Sequence, residues 1–138
     1  MTQKWTLTKA FAYFDGAKAR NPRWSWSARS ADGRTVVVTL WKDSICDDGR
    51  TVTVDAFDDG SGRLRLWKDA QGNRDRIQNL VWARDHCDGL FRVVLVVAKD
   101  TAAVPRAIDE RYPDPNLVMK LIRLNEDTGE LLAKGKRG

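Results

Sequence analysis

The chain has 138 residues, of which 42% are hydrophobic and 31% charged, and this composition predicts one folded domain and excludes a disordered chain. No apolar run approaches the roughly 20 residues of a membrane-spanning helix, and the first residues, MTQKWTLTKAF, lack the layout of a secretory signal, so we expect a cytoplasmic protein with no membrane partner. The 24 Lys and Arg residues exceed the 19 Asp and Glu residues, and the resulting net charge of +5 suits a polyanionic partner without requiring one.

The sequence offers little for catalysis. Its single histidine, His86, excludes a multi-histidine zinc site, and the motifs GxxxxGKS/T, GxGxxG, HExxH and GxSxG do not occur. Acidic pairs such as Asp47-Asp48 fall in turns, where solvated carboxylates are common. We therefore predict a protein that is not an enzyme and that uses neither a metal nor a cofactor.

Hydrophobic periodicity predicts a helix followed by strands in the first half of the chain. Residues 6–19 carry apolar side chains at helical spacing, and Thr6 is the expected N-cap. The stretches RWSWSARS and RTVVVTLWKD, joined by the turn ADG, predict a β-hairpin whose second strand continues to Asp43. The stretches RTVTVDAF and RLRLW predict two further strands joined by the turn DDGSG.

The second half predicts a helix, a buried strand and a closing hairpin. Asn73 is the expected N-cap of the helix, LFRVVLVVAKD reads as a central strand, and PRAIDERYPDP reads as a loop with one helical turn. LVMKLIRLNEDTGELLAKGKRG predicts a strand, a DTG turn and a strand. These elements indicate an α+β domain over residues 1–134, a strongly curved sheet or partial β-barrel flanked by two or three helices, with a basic flexible tail at 135–138.

Six tryptophans are many for a chain of this length. Four of them fall in predicted strands, namely Trp24, Trp26, Trp41 and Trp67. Aromatic rings beside guanidinium groups hold bases and phosphates, because stacking one base on a ring is worth about 1–3 kcal/mol. The structural alternative is that each strand tryptophan belongs to the core, and we assign Trp5 and Trp82, on or near helices, to packing.

The stretches NPRWSW, TVVVTLWKD, VVLVVAKD and LVMKLIRLNEDTGEL together resemble a known family. It comprises the N-terminal PUA-like reader domains, related in fold to SRA and EVE modules, that precede HNH nuclease domains in modification-dependent (type IV) restriction proteins. The resemblance covers about Phe11 to Lys134 and implies a single PUA-like domain over 1–134 with a curved mixed sheet close to a barrel. The chain has no HNH segment and carries Leu131-Leu132 where an aromatic residue is expected.

The resemblance implies a DNA-binding module of a restriction or phage-defence system. Such a module flips a modified base, typically a 5-substituted cytosine such as 5-methylcytosine or 5-hydroxymethylcytosine, out of duplex DNA into an aromatic pocket. The pocket residues it implies are Trp24, Trp26, Trp41, Asp43, Ser25 and Ser27, with Asp43 accepting from the exocyclic amine of cytosine. The phosphate-binding residues are Arg20, Arg23, Arg29, Arg63 and Arg65. The partners are duplex DNA and a nuclease effector, either C-terminal or separate.

Other functions stay open on the sequence. A single-strand or RNA-binding PUA-like module would use the same tryptophans for stacking without sequence preference. A protein-interaction domain would use them as an apolar surface patch. An enzyme acting in the same pocket has only scattered carboxylates in its favour and ranks last.

Overall fold

The computed structural model describes residues 5–21, 25–55, 70–100 and 108–137. These residues form two α-helices, α1 (Leu7–Ala12) and α2 (Gln71–His86). They also form eight strands, which are β1 (Ser27–Arg29), β2 (Val36–Trp41), β3 (Ile45–Asp47), β4 (Thr51–Asp55), β5 (Leu90–Ala98), β6 (Ile108–Pro113), β7 (Leu117–Leu124) and β8 (Leu131–Arg137). The predicted α+β class is confirmed.

The eight strands make one open mixed sheet. Its order is β1-β2-β5-β7-β8-β4-β3, and β6 also pairs with β5. β2 and β5 are parallel, with Val37 opposite Arg92, and all the other pairs are antiparallel. A parallel pair needs a long crossover connection, and here that connection includes β3, β4 and α2. The predicted central strand is confirmed, since β5 pairs with β2, β6 and β7.

The sheet is bent where β6 gives way to β7. In β5, Phe91 and Val94 are three residues apart, whereas their partners Met119 and Pro113 are six residues apart. The three extra residues are accommodated at the turn 114–116. An insertion of this kind bends the strand and increases the local twist.

The main core is compatible with a curved sheet. β2 and β4 are four places apart in the strand order, yet both contribute to one buried cluster closed by Leu80 and Ala83 of α2. Strands so far apart share a core only when the sheet wraps around it. The strand residues of this concave core are Val36, Val38, Leu40, Val52, Val54, Phe91, Val93, Leu95, Leu117, Met119, Leu131 and Ala133.

A smaller core lies on the opposite face of the sheet. There α1 buries Phe11 against Val37 and Val94, with Ala28 of β1 beside them. Because successive strand residues point to opposite faces, β2 and β5 are buried on both faces where α1 covers them. This explains the nearly unbroken apolar runs of these two strands.

The first helix keeps its predicted start but ends before residue 19. The hydroxyl of Thr6 accepts from the backbone N–H of Lys9 at 3.2 Å, which confirms the N-cap. The chain then turns through Asp15 and Gly16, whose φ angles of 57° and 70° are incompatible with a continued right-handed helix.

The predicted start of the second helix is wrong. α2 begins at Gln71, with Ala70 in the N-cap position. Asn73 is completely buried in the first turn, and its Nδ2 donates to the carbonyl of Thr128 at 2.8 Å. A side chain expected to cap the helix therefore joins it to the β7–β8 turn, because a tertiary partner competes for the same amide.

Three other predictions are corrected. The strand expected to reach Asp43 ends at Trp41, where a 3₁₀ helix (Lys42–Ser44) begins, so Asp43 does not continue the strand face of Trp41. Part of the expected loop PRAIDERYPDP is β6, which pairs with β5. The backbone of β5 supplies hydrogen-bond partners there, and local strand propensity does not reveal them. Residues 135–137 of the expected flexible tail belong to β8 and pair with β4 and β7.

The strand predicted over RWSWSARS is shorter than expected, since β1 begins only at Ser27 and Trp26 lies in a bend before it. The remaining strand predictions agree with the structure where it describes them. β1 and β2 form the first hairpin, β7 and β8 form the last one, and Val52 and Val54 of β4 are buried. The predicted strand RLRLW and the turn before it lie outside the described residues. Within the described parts of the chain, neither helix has the length and apolar character needed to cross a membrane.

Candidate functional site

The predicted aromatic pocket is only partly visible. Trp26 is half-buried in a bend just before β1, and the guanidinium carbon of Arg76 of α2 lies 5.2 Å from its ring centre. Trp41 is half-buried at the end of β2 and, by strand alternation, faces the α1 side of the sheet together with Val37. Trp24 lies outside the described residues. That these tryptophans enclose a base stays a prediction.

The two serines of the predicted pocket are buried and already hydrogen-bonded. The hydroxyl of Ser25 accepts from the backbone N–H of Asn21 at 3.0 Å. The hydroxyl of Ser27 donates to Oδ2 of Asp75 at 3.3 Å and accepts from Nδ2 of Asn79 at 2.7 Å. The bonds of Ser27 join β1 to α2, so both hydroxyls serve the fold.

Two of the predicted phosphate-binding arginines meet in one pocket, which we call the basic pocket. Its volume is about 160 Å³, and its lining residues are Lys18, Ala19, Arg20, Arg29, Asp75, Gln78 and Asn79. Lys18 reaches it because its backbone pairs with that of Arg29 through two hydrogen bonds of 3.1 and 3.2 Å. The other three predicted arginines, Arg23, Arg63 and Arg65, lie outside the described residues.

The two arginines of the basic pocket are held differently. Nε of Arg29 donates to Oδ1 of Asn79 at 3.0 Å, and the guanidinium lies 4.3 Å from the ring centre of Trp82. Arg20 is 66% exposed, with Nε 3.9 Å from Oδ1 of Asp75. Three cationic side chains and one carboxylate line the pocket, so it carries a net positive charge. One hydrogen-bonded and one exposed guanidinium suit the binding of an anion.

A larger cleft, which we call the Tyr112 cleft, lies at the other end of β2 on the concave side of the sheet. Its volume is about 400 Å³, within the usual range for small-molecule sites. Its lining residues are Lys42, Ile45, Asp47, Leu95, Tyr112, Pro113, Asp114, Pro115 and Arg137. Sequence patterns do not reveal this cleft, because its residues come from four separate stretches of the chain. The only local hint of the cleft in the sequence is the short stretch YPDP, which places an aromatic ring and a carboxylate on a stiff backbone.

Arg137 organises the charges of the Tyr112 cleft. Its Nη2 lies 2.7 Å from Oδ2 of Asp114, and its Nη1 lies 2.5 Å from Oδ1 of Asp47. The hydrogen bond from Arg137, followed by one from the backbone of Gly49, lowers the pKa of the Asp47 carboxyl. The same two carboxylates raise the pKa of Arg137. The cleft therefore presents fixed charges beside one half-buried aromatic ring, that of Tyr112.

Asp43 and the two ends of β2 show where the predicted site lies relative to the two cavities. Asp43 is exposed in the 3₁₀ helix, next to Lys42, which lines the Tyr112 cleft. Arg29 pairs with Val36 at one end of β2, and Trp41 marks the other end. These ends are five residue steps apart along the strand, a distance of about 17 Å. The basic pocket is lined by Asp75, Gln78 and Asn79 of α2, and the Tyr112 cleft by Leu95 of the core that α2 closes.

The described residues hold no group of three or more His, Cys, Asp or Glu side chains arranged to bind a metal ion. His86, at the end of α2, stacks against Trp82 with ring centres 3.9 Å apart. Comparison of the chain with protein-family models, with curated proteins and with solved structures finds no match.

Proposed function

We propose that this protein is a DNA-binding module that recognises a modified base, a 5-substituted cytosine, in duplex DNA and does not itself catalyse a reaction. The observation that carries the proposal is the basic pocket, where Lys18, Arg20 and Arg29 surround a small polar cavity with only Asp75 as a lining carboxylate. A phosphate would complete this arrangement, because it accepts hydrogen bonds from guanidinium groups on two sides. The net charge of +5 supports the same class of partner.

The Tyr112 cleft is the place for the flipped base. Tyr112 offers a ring for stacking, Asp114 offers a carboxylate that can accept from the exocyclic amine of cytosine, and Lys42 offers a donor. Extruding a base costs a few kcal/mol and one ring returns about 1–3 kcal/mol, so the polar contacts are needed for binding. Trp24 remains a predicted source of a second ring, whereas Trp41 faces the α1 side of the sheet, away from the cleft.

The separation of the two cavities fits one duplex. β2, which runs from one cavity towards the other, is about 17 Å long, and this length is comparable with the axial rise of about five nucleotides of one strand, at 3.4 Å each. A duplex that spans both cavities would place a phosphate in the basic pocket while a base a few nucleotides away enters the cleft. The curved mixed sheet with flanking helices is also the architecture that the resemblance to PUA-like readers implies.

The resemblance to the restriction family suggests a cellular role for such a module. A reader of this kind acts in the cytoplasm as the specificity part of a defence system and delivers a nuclease, C-terminal or separate, to modified DNA. The chain itself has no HNH segment, so in this proposal cleavage belongs to that effector.

The test is a binding panel of duplexes that contain cytosine, 5-methylcytosine, 5-hydroxymethylcytosine or glucosylated cytosine, measured at two salt concentrations. We expect at least one modified duplex to bind more tightly than the unmodified one at both concentrations. Equal affinity for every duplex would reject base reading, and a preference for single strands or RNA would favour the alternative nucleic-acid function. No salt-dependent binding of any nucleic acid would leave the protein-interaction function.

A matched pair of variants locates the base. Tyr112→Leu should abolish discrimination between modified and unmodified duplexes, since it removes the stacking ring and keeps an apolar side chain. Tyr13→Leu is the control, because Tyr13 is 52% exposed and lies just after α1, away from the cleft. If Tyr112→Leu discriminates as well as the control, the cleft is not the base pocket.

A further inference from the structure

The outward face of the β7–β8 hairpin carries three exposed lysines, Lys120, Lys134 and Lys136, which we call the lysine face. Lys120 lies directly opposite Lys134 in the sheet register. The alternating neighbours Met119 and Ala133 are completely buried in the concave core. The three lysines therefore project from the convex side of the sheet, away from both cavities.

The positive charge of the lysine face is not balanced within the described protein. Side chains directly opposite each other on neighbouring strands lie about 5 Å apart, and like charges at such positions are destabilising. On the β4 side, the residues opposite Lys134 and Lys136 are Thr53 and Thr51, which are neutral. None of the ion pairs found among the described residues involves the three lysines. The nearest carboxylate in the β4 register is that of Asp55, opposite Leu132.

We propose that the lysine face binds the phosphodiester backbone of duplex DNA. Lys134 and Lys136 are two residues apart on one strand, a distance of about 7 Å, which matches the axial rise of two nucleotides, about 3.4 Å each. A lysine ammonium acts as a point charge for phosphate and imposes little geometry, so this surface adds affinity without reading sequence. A polyanion is also the partner that relieves the repulsion between Lys120 and Lys134.

The lysine face and the Tyr112 cleft meet at the end of β8. Lys136 and Arg137 are consecutive, and their side chains point to opposite sides of the sheet, Arg137 into the cleft. DNA held at the end of β8 is therefore near both surfaces. The inference rests on the proposed function in its choice of duplex DNA, but it concerns affinity, whereas the cleft concerns base discrimination.

The experiment compares two triple variants of the full chain. The first is Lys120→Gln with Lys134→Gln and Lys136→Gln. The control is Lys9→Gln with Arg34→Gln and Lys99→Gln, which removes the same charge from exposed positions elsewhere. For an unmodified duplex, we expect the slope of log affinity against log salt to fall by up to about 2.7 in the first variant, since each lost phosphate contact removes about 0.9.

The outcomes separate this inference from the proposed function. A reduced salt slope with unchanged discrimination between modified and unmodified duplexes supports a backbone-binding lysine face. A slope equal to that of the control overturns it, whatever the discrimination. Val118 and Ile122, which are 37% and 54% exposed on β7, make an anionic lipid surface the alternative partner. Lysine-dependent binding to phosphatidylserine vesicles, without lysine-dependent binding to duplexes, would also overturn the inference.

Discussion

Asn79 donates a hydrogen bond of 2.7 Å to the hydroxyl of Ser27, and both side chains are buried between α2 and β1. The same asparagine accepts from Arg29 through its Oδ1. One amide therefore holds together the hairpin, the helix and a cation of the basic pocket. A fully satisfied buried network of this kind fixes the relative positions of the elements that it joins.

Removing either member of this pair should destabilise the fold. We expect Ser27→Ala and Asn79→Ala each to lower the free energy of unfolding by about 1–3 kcal/mol, because each leaves a buried polar partner unsatisfied. Urea unfolding of the two single variants and the double variant measures this loss. The double variant should lose less than the sum of the single losses, by about 0.5–3 kcal/mol. Ser44→Ala, at an exposed position, is the control and should change stability little; strict additivity would show that the two side chains are not coupled.

Gly129, in the β7–β8 turn, packs against Asn73 in the first turn of α2. Its φ is +84°, and a Cβ added there would lie against the side-chain carboxamide of the buried Asn73, far closer than two such atoms can approach. Gly49 has a φ of +93°, and an added Cβ would meet no atom within 4 Å, so it shares the backbone requirement without the clash. We expect Gly49→Ala to cost about 1–2 kcal/mol from backbone strain and Gly129→Ala to cost about 1–3 kcal/mol more from overpacking. Thermal or urea unfolding of both variants measures the difference, and equal losses would contradict the packing argument.

The sequence predicts best those elements whose pattern is decided locally. Val52 and Val54 alternate with polar residues, and the apolar run of β5 leaves no solvent face, so both strands follow from period and composition. Asn73 misleads the helix prediction because its carboxamide bonds to Thr128, which is 55 residues away in the chain. No local rule contains that partner.

The same limit explains the candidate site. Arg20 and Arg29 are predictable as a pair because they are close in sequence and flank the tryptophans. The Tyr112 cleft is not, because Lys42, Tyr112 and Arg137 meet only after the sheet has curved. The pairing of strands that are distant in the chain brings these residues together. The hydrophobic period and the turn signals of one sequence do not reveal that pairing.

Arg20 provides the mildest probe of the basic pocket. Its side chain is 66% exposed, so Arg20→Ala should leave the free energy of unfolding nearly unchanged. Binding to every duplex should weaken by the same factor, and the salt slope should fall by about 1, as expected for the loss of one phosphate contact. Arg34→Ala, at another exposed arginine, is the control. A change in discrimination between modified and unmodified duplexes, at constant salt slope, would show that Arg20 contacts the base instead.

Arg137 should determine part of the acid sensitivity of the protein. Its hydrogen bond is the largest cause of the lowered pKa of Asp47, whose ordinary value is 3.8. A carboxyl with a lowered pKa in the folded state stabilises the fold above its unfolded pKa, and that stabilisation is lost as the pH falls through the folded pKa. The free energy difference between the wild type and Arg137→Gln should therefore be constant near neutral pH and shrink below about pH 4.

Urea unfolding of both proteins between about pH 2.5 and 7 measures this difference across the window in which Asp47 titrates. Asp32 and Asp48 also have lowered pKa values, but hydrogen bonds from Ser30 and from the backbone of Thr51 are the main causes, so their contributions cancel between the two proteins. Arg50→Gln, at an exposed position near the same strand ends, should show no such pH dependence. A difference between the wild type and Arg137→Gln that persists undiminished at the acid end would mean that Arg137 stabilises the fold by packing across the cleft, and that its charge on Asp47 contributes nothing.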